Sequence, residues 1–401
     1  MTEIQKDNKN IANVPPLRFP GFTGEWEVKK LGEIAKKIGD GLHGTPKYVE
    51  DSDFYFINGN NIVSGKISLN ENTKKVDIET FIKNDKGLKE NTLLISINGT
   101  IGNIARYNNE KVMLGKSVGY FNFKKKSDFF FFALQTKLVQ DFFASELTGS
   151  TIKNLSLKTL REAFVSLPSD KEQQKIASFL SLIDERIQTQ IKIIEQLETL
   201  IKGLSEKLFS QEIRFKGFAE KWSVKKLGGL ATFYSGGTPL TSKKEYFDGN
   251  IPFIRSGEIN SNVTEQFINE LGLKKSSAKM VEIGDILYAL YGATSGEVAI
   301  SKINGAINQA VLCIKSQQNH YFIYSYLFHK KEYIINKYLQ GGQGNLSADI
   351  VKQIELPIPT LEEQTVIANF LSAIDTKIQT ERNILDKYQS QKQYLLQNLF
   401  I

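Results

Sequence analysis

Residues 170–209 read DKEQQKIASFLSLIDERIQTQIKIIEQLETLIKGLSEKLF, a stretch without proline and with a single glycine. Apolar residues recur in it every three or four positions, close to the period of a coiled-coil helix. Pro168 precedes the stretch, and Ser169 with Asp170 supplies helix-capping groups. The pattern predicts one helix that is about 60 Å long at 1.5 Å per residue.

Residues 361–400 repeat this pattern 191 residues later, with Arg382 and Lys392 interrupting the apolar stripe. Residues 363–380 are identical to residues 172–189 at 12 of 18 positions. One domain cannot bury such a long stripe, so we expect each helix to pack on the other. The first helix leaves one domain and the second must run back, which predicts an antiparallel pair. The predicted helix-pair interface consists of Ile176, Leu180, Ile183, Ile187, Ile367, Leu371, Ile374 and Ile378.

A second internal match opens each half of the chain. Residues 18–32 (RFPGFTGEWEVKKLG) and 214–228 (RFKGFAEKWSVKKLG) are identical at 10 of 15 positions and lie 196 residues apart. The two offsets differ by five, so the second copy has lost five residues between its matching ends. The chain is therefore one unit used twice, and Trp26 and Trp222 are predicted core anchors.

Between these matching ends, in residues 33–150 and 229–341, the two copies share only scraps of sequence. Short β-rich runs alternate there with Gly, Asn and Thr turns. Strands are predicted at residues 54–57, 92–97, 286–290 and 310–314, and helical segments near residues 129–143 and 321–339. Each middle is interpreted as a mixed α/β domain.

The predicted fold class is α+β: two mixed α/β domains separated by an antiparallel two-helix coiled coil, with a pseudo-twofold internal repeat. The predicted division is a flexible N-terminal segment (1–16), a first domain (17–167), a spacer helix (168–211), a second domain (212–356) and a second spacer helix (357–401).

Composition narrows the classes of protein. A chain of 401 residues is too long for one compact core, which predicts two or more domains. Lys and Arg outnumber Asp and Glu by 51 to 44, and the net charge of +7 fits a polyanionic partner. A lone cysteine, a polar beginning and the lack of a long apolar run favour a cytoplasmic protein with no membrane association.

No catalytic constellation is apparent. The three histidines (His43, His320 and His329) and Cys313 lack metal-ligand spacing. Gly115-Lys116-Ser117 mimics the end of a P-loop, but Glu110 stands where its first glycine is needed. The sequence predicts no metal, no cofactor and no catalysis by this chain.

The paired openings (Arg-Phe-x-Gly-Phe…Trp…Lys-Leu-Gly) and closings (Glu-Gln…Ile-Ala…Phe-Leu…Ile-Asp) resemble the specificity subunit of type I restriction-modification systems. The resemblance covers residues 17–400. In the second copy it includes IPFIRSG (251–257), YGATSG (291–296) and NQA (308–310), whereas the first copy departs with FINGNN and NGTIG.

The resemblance implies that the middles are target-recognition domains, each reading one half of a split site in double-stranded DNA through the major groove. It further implies that the helices set the spacing and hold two methyltransferase subunits, to which restriction subunits add. S-adenosylmethionine and ATP are then expected on those partners. Unlike middles imply unlike half-sites and an asymmetric sequence.

Base readout needs hydrogen-bonding side chains on short turns. The candidates in the first domain are Lys36, His43, Thr45, Lys47, Asn58, Asn60, Asn61, Asn98 and Arg106. Those in the second are Thr238, Arg255, Ser256, Tyr291, Thr294, Asn308 and Gln309. For each of them a turn-forming or capping role is the competing interpretation. The lysine pairs at 29–30, 36–37, 225–226 and 243–244 are candidates for phosphate contacts or for a solvated face.

Two other classes of function stay open on the sequence. One is a self-contained methyltransferase or nuclease with an unfamiliar site. The other is a coiled-coil scaffold with no role in nucleic-acid binding.

Overall fold

The structure, a computed structural model, describes residues 13–125, 128–149, 153–338 and 345–401. The predicted flexible segment 1–16 thus falls largely outside the described residues. The chain divides into two compact units: unit 1 comprises the residues up to Gln190 together with Ile384–Ile401, and unit 2 comprises Ile191–Asn383. Within the described ranges, no helix has both the length and the apolar character needed to cross a membrane.

Unit 1 is a mixed α/β body. Its strands are β1 (Glu27–Lys30), β2 (Ala35–Asp40), β3 (Phe54–Ile57), β4 (Ile62–Val63), β5 (Lys66–Ile67), β6 (Lys75–Val76), β7 (Thr92–Ser96), β8 (Ile104–Arg106), β9 (Val112–Leu114), β10 (Val118–Phe123) and β11 (Phe164–Leu167). Its helices are α1 (Leu31–Ile34), α2 (Ile78–Lys83), α3 (Asp128–Ala133), α4 (Lys137–Ser145), α5 (Leu157–Glu162) and the first half of α6 (Asp170–Phe209).

Two sheets form the body of unit 1. An antiparallel sheet has the order β2-β10-β7-β8, and a smaller sheet has the order β6-β3-β9, with β3 and β9 parallel. Apolar side chains of both sheets meet in one core, which includes Ile57, Leu94, Leu114 and Val118. Outside these two sheets, β1 near the start of the unit pairs with β11, the strand that precedes α6.

Unit 2 has the same kind of body. Its strands are β12 (Ser223–Lys226), β13 (Ala231–Ser235), β14 (Ile251–Ile254), β15 (Phe267–Ile268), β16 (Lys279–Val281), β17 (Ile286–Ala289), β18 (Val298–Ile300), β19 (Gly305–Ile307), β20 (Val311–Ser316) and β21 (Glu355–Ile358). Its helices are α7 (Glu270–Lys274), α8 (His320–His329), α9 (Lys331–Tyr338), α10 (Ala348–Gln353) and most of α11 (Leu361–Asn398).

The two middles share one topology although their sequences barely match. Unit 2 contains the sheets β13-β20-β17-β18 and β15-β14-β19-β16, which correspond to the two sheets of unit 1. The parallel pair β14 and β19 stands where β3 and β9 stand, and β12 pairs with β21 as β1 pairs with β11. The units differ at the margins, where β16 has no strand counterpart in the small sheet of unit 1.

The predicted strands are confirmed, with ends that shift by at most two residues. The predicted helical segment 129–143 forms two helices, α3 and α4, which are separated where Thr136 adopts an extended conformation. Its hydroxyl donates to the carbonyl of Ala133 at 2.8 Å and competes with the helical hydrogen bonds there. Similarly, α8 ends at His329 before α9 begins at Lys331. Leu339, the predicted end of that segment, lies outside the described residues.

Both long helices are confirmed, the second ending at Asn398, two residues before the predicted end at Phe400. In unit 1 the first half of α6 meets the last part of α11, where Lys392 Nζ lies 2.7 Å from Asp184 Oδ1. In unit 2 the second half of α6 meets the first part of α11, where Arg382 pairs with Glu198 at 2.5 Å. The helices therefore run antiparallel. Arg382 and Lys392, which interrupt the apolar stripe, form ion pairs across the helix pair.

Seven of the eight predicted interface residues are buried, and Ile374 is half-buried. This burial is what the heptad-like spacing requires, and the assignment of these residues to a helix-pair interface stays a prediction.

A buried carboxylate clasps the two matching ends of each unit together. Glu172, in the first turn of α6, accepts hydrogen bonds from Arg18 Nε at 2.7 Å and Nη2 at 2.8 Å. Glu363, in the first turn of α11, accepts from Arg214 Nε at 2.9 Å and Nη2 at 2.7 Å. Both carboxylates are almost wholly buried. The repeated Arg and Glu motifs are thus the two halves of one contact.

The tryptophans pack as predicted, each buried against a phenylalanine with ring centroids 6.1 Å apart: Trp26 against Phe129, and Trp222 against Phe322. The end of a long helix completes each cluster. Phe400, just beyond α11, contacts Trp26 and Phe129, and Phe209, the last residue of α6, contacts Phe322.

Backbone hydrogen bonds hold these helix ends in the same way. The amide of Leu17 donates to the carbonyl of Asn398 at 2.8 Å in unit 1. At the equivalent place in unit 2, the amide of Ile213 donates to the carbonyl of Lys207 at 3.2 Å.

The clasps predict unequal costs of mutation. Glu363→Ala strands both the Arg214 guanidinium and Trp222 Nε1, which donates to Glu363 at 3.0 Å, so we expect a local loss of about 3–5 kcal/mol. Glu172→Ala is expected to cost about 1 kcal/mol less, because Arg18 also donates to the carbonyls of Gly24 and Thr23. Hydrogen exchange of the β12 and β1 amides measures both. Equal losses in the two variants would contradict the different hydrogen-bond sets.

The helix pair predicts a second asymmetry between equivalent positions. Ile183→Asp places a charge in a buried position and should lower the free energy of unfolding by about 3 kcal/mol. Ile374→Asp should cost less, because Ile374 is only half-buried. Urea denaturation followed by circular dichroism compares the two variants, and a larger loss for Ile374→Asp would be inconsistent with this packing.

Candidate nucleic-acid interface

Four loops of unit 1 converge at one edge of its sheets. They are residues 41–53 after β2, 58–61 after β3, 97–103 between β7 and β8, and 115–117 between β9 and β10. The Ser117 hydroxyl accepts from the Gly59 amide and donates to Asn58 Oδ1, both at 2.9 Å. Thr100 Oγ1 donates to the Gly59 carbonyl at 3.0 Å, so three of the loops are tied to one another.

Several predicted residues of unit 1 lie in these loops. Asn58 begins a 3-10 turn (Gly59–Asn61), and its amide donates to Asn61 Oδ1 at 2.9 Å. Asn60 is exposed at the top of this turn. Asn98 has a buried Oδ1 that finds no hydrogen-bond donor in the part of the chain that the structure describes. Asn58 and Asn61 thus combine turn-forming duties with a place in the cluster.

The first loop carries three more of the predicted residues. His43, Thr45 and Lys47 are all exposed. The imidazole Nε2 of His43 lies 2.7 Å from Asp40 Oδ2, which orients the ring.

Two predicted residues of unit 1 lie elsewhere. Arg106, at the end of β8, pairs with Asp128 at 2.7 Å, and its guanidinium lies 3.5 Å from the centre of the Phe131 ring. These contacts anchor α3 to the sheet. Lys36 is exposed within β2, away from the loop cluster.

Unit 2 gathers an equivalent set of loops, which consists of residues 236–243, 255–258, 290–297 and 308–310. Thr238 Oγ1 donates to Gln309 Oε1 at 2.7 Å, and the Tyr291 hydroxyl donates to the Gln309 carbonyl at 2.6 Å. Asn308 Oδ1 accepts from the Ala310 amide at 3.0 Å. Burial raises the pKa of Tyr291, which keeps its phenol protonated as a donor.

Arg255 is held by two acidic residues that the sequence reasoning missed. Its Nε donates to Glu258 at 3.0 Å and its Nη2 to Glu265 at 2.5 Å, and these bonds raise the pKa of the guanidinium. Burial alone would raise the pKa of Glu258, but hydrogen bonds from Arg255 and from the Glu265 amide lower it. The guanidinium is therefore positioned and charged.

The remaining predictions of unit 2 also lie in these loops. Ser256 is half-buried in a 3-10 turn (Ser256–Glu258), and Thr294 is half-buried in the loop between β17 and β18. The carbonyl of Thr294 accepts from the Glu297 amide at 2.9 Å, so its backbone shapes the turn.

The two clusters correspond position by position. Asn58 and Arg255 each precede a 3-10 turn directly after equivalent strands, and the amide of each donates to the side chain three residues later, Asn61 Oδ1 at 2.9 Å and Glu258 Oε2 at 3.2 Å. Asn98 and Tyr291 follow residues whose carbonyls accept equivalent bonds, from Leu155 to Ile97 at 2.9 Å and from Leu346 to Leu290 at 2.7 Å. Each position therefore keeps its backbone while its side chain differs between the units.

Members of the predicted lysine pairs make contacts within their own unit. Lys30 Nζ lies 2.5 Å from Glu162, and at the equivalent place Lys226 donates to Gln353 at 2.7 Å. Lys29 pairs with Glu27 at 2.9 Å, and Lys243 lies over the Tyr246 ring. Among the described residues, no group of three or more His, Cys, Asp or Glu is placed to hold a metal ion.

Comparison with known proteins gives a consistent family. A family model described as the type I restriction modification DNA specificity domain matches residues 23–199 and again residues 219–388. The type I restriction enzyme MjaIX specificity subunit of Methanocaldococcus jannaschii is 26% identical over 342 residues, 76% of each chain. A putative type I restriction enzyme MjaX specificity subunit of the same organism is 27% identical and covers 93% of this chain and 92% of its own.

The fold is also similar to solved structures. The S subunit of a type I restriction-modification system from M. genitalium superposes with a TM-score of 0.64 at 18% identity, over 97% of this chain and 99% of that one. A chain from a structure concerning complex assembly of the type I restriction-modification system gives a TM-score of 0.55 at 15% identity, over 95% of this chain and 98% of that one.

The loop cluster of unit 1 predicts a difference between two glycines. A Cβ on Gly115 would lie 2.4 Å from Asn58 Oδ1 and 2.8 Å from the Phe56 ring, whereas one on Gly44 would meet nothing within 4 Å. Gly115→Ala should therefore lower the free energy of unfolding by about 1–3 kcal/mol, and Gly44→Ala should cause no loss. Urea denaturation tests the pair, and an unchanged midpoint for Gly115→Ala would show that the cluster is looser than described.

Proposed function

The chain belongs to the type I restriction modification DNA specificity family, and we propose that it reads a split, asymmetric DNA site, one half with each unit. The observation that carries this proposal is the pair of equivalent loop clusters with different polar side chains. The backbone positions that present Asn58 and Asn98 in unit 1 present Arg255 and Tyr291 in unit 2. Such groups distinguish base pairs in the major groove by their donors and acceptors.

Direct contact with bases is proposed for the clustered residues of each unit. In unit 1 these are His43, Thr45, Lys47, Asn58, Asn60, Asn61 and Asn98. In unit 2 they are Thr238, Arg255, Ser256, Tyr291, Thr294, Asn308 and Gln309. Arg106 is better explained by its contacts with Asp128 and Phe131, and Lys36 suits a phosphate contact.

The antiparallel helices suit a second role. We propose that they set the spacing of the half-sites. Together with the matching ends of the two units, they hold two methyltransferase subunits, to which restriction subunits add. An internal repeat offers the same surface twice, which suits two copies of one partner. The similarity to a chain from a type I restriction-modification assembly supports this part of the proposal.

In this proposal the chain itself carries out no catalysis, and S-adenosylmethionine and ATP bind to the partner subunits. The proposal includes the domain limits predicted from the sequence (1–16, 17–167, 168–211, 212–356 and 357–401), because they separate the DNA-reading domains from the spacer helices. The place of action proposed is the cytoplasm, where a restriction-modification system meets DNA.

The proposal predicts the outcome of exchanging one middle. Residues 33–150 are replaced by the corresponding middle of another specificity subunit, and DNA methylation is mapped across the genome of cells that express the complex. One half of the methylated sequence should change, and the other half and the spacer should stay the same. Exchange of residues 229–341 is the matched control and should change only the opposite half.

Two outcomes would contradict the proposal. A change in both halves after one exchange would mean that the units do not read separately. Methylation of DNA by the purified chain alone would make it a self-contained methyltransferase.

A further inference from the structure

A four-residue turn connects the parallel strand of the small sheet to the large sheet in both units. In unit 1 the turn spans residues 115–118, and in unit 2 it spans residues 308–311. The same three backbone hydrogen bonds define this turn in both units. The first residue donates to the end of the neighbouring strand, Gly115 to Ile57 at 2.8 Å and Asn308 to Ile254 at 3.4 Å.

The other two bonds close the turn and tie it to the loop after β7 or β17. The fourth residue donates back to the first at 3.0 Å in unit 1 and 3.2 Å in unit 2. The third residue accepts from Ile97 at 2.9 Å in unit 1 and from Leu290 at 2.8 Å in unit 2. Lys116 and Gln309 therefore occupy the same second position, at the tip of the turn.

The tip is the one place in this turn that is open to variation in both units. Gly115 has no room for a Cβ, and Ser117 holds Gly59 and Asn58. In unit 2, Asn308 accepts from the amide of the buried Ala310. Lys116 and Gln309 are both exposed, so their side chains differ without disturbing the backbone.

The neighbours of the tip leave each side chain with the chemistry that base recognition needs. Thr238 donates to Gln309 Oε1, which fixes the amide and leaves one lone pair on Oε1 and the whole amino group. In unit 1 the residue at the Thr238 position is His43, which pairs with Asp40. Lys116 forms no ion pair with any residue in the described part of the chain, so its ammonium keeps three donors available.

We propose that the tip of this turn is a base-reading position in both units, with Lys116 selecting guanine and Gln309 selecting adenine. This inference rests on the proposed function and adds one residue to it, Lys116. In the sequence, Lys116 stands out only as part of a segment that resembles the end of a P-loop. A lysine donates to guanine O6 and N7 in the major groove. A glutamine donates to adenine N7 and accepts from its N6 amino group.

The test uses the full chain purified with its methyltransferase partner and a library of DNA duplexes, from which bound sequences are selected and sequenced. Lys116→Gln should shift one base pair of the unit 1 half-site from guanine to adenine, with a change in preference of about tenfold or more. Gln309→Lys should cause the reverse shift at one base pair of the other half-site.

Two control variants sharpen the test. Lys116→Arg should keep the preference for guanine, because arginine offers donors to the same two acceptors. Lys89→Gln removes the same charge from an exposed position just before β7, at the end of that strand opposite the loop cluster, and should leave the selected sequence unchanged.

The alternative is a contact of Lys116 with a phosphate. In that case Lys116→Gln would weaken binding to all duplexes alike and reduce the slope of log affinity against log salt by about 0.9, with no change of base. That result, or an unchanged selected sequence, would overturn the inference and leave the proposed function standing. A wild-type complex that enriched no sequence would overturn both.

Discussion

A buried carboxylate in the first turn of each long helix is the contact on which both units depend. Glu172 and Glu363 each receive two hydrogen bonds from an arginine that lies about 150 residues earlier in the chain. A buried charge of this kind is tolerated only when its partner is held in place. The clasp therefore fixes the entrance of the unit, the exit of the unit and the start of the helix relative to one another.

The long helices and the matching ends of the two units could be predicted from the sequence because their constraints are local and repeated. The apolar spacing of residues 170–209 predicts the helix, and the two offsets predict the repeat. The pairing of Arg18 with Glu172 was not predicted, since both residues stand in matched motifs but nothing in the spacing says that the motifs meet. The sequence shows Lys392 only as an interruption of the stripe, and its partner Asp184 is evident only in three dimensions.

The middles were predictable in class only. Short strands and turns indicate a mixed α/β domain, but pairing is set by contacts between distant segments, and the two middles share too little sequence to be aligned. Once β9 and β19 are seen in the same parallel pairing, Gly115-Lys116-Ser117 and Asn308-Gln309-Ala310 fall into one position. For Arg106 the sequence predicts a contact with DNA, and it does not show the ion pair with Asp128 or the contact with the Phe131 ring, which offer a structural role for the same side chain.

The ends of the two long helices are attached to their units in different ways. In unit 2 the peptide chain itself leads from α6 to Ile213, whereas in unit 1 the same junction is made by a hydrogen bond between Leu17 and Asn398 and by the packing of Phe400 on Trp26. The same junction is thus held by a peptide link in unit 2 and by noncovalent contacts in unit 1. The end of α11 is therefore held to unit 1 by packing and hydrogen bonding, which local unfolding can release, whereas the end of α6 stays attached to unit 2 by the chain itself.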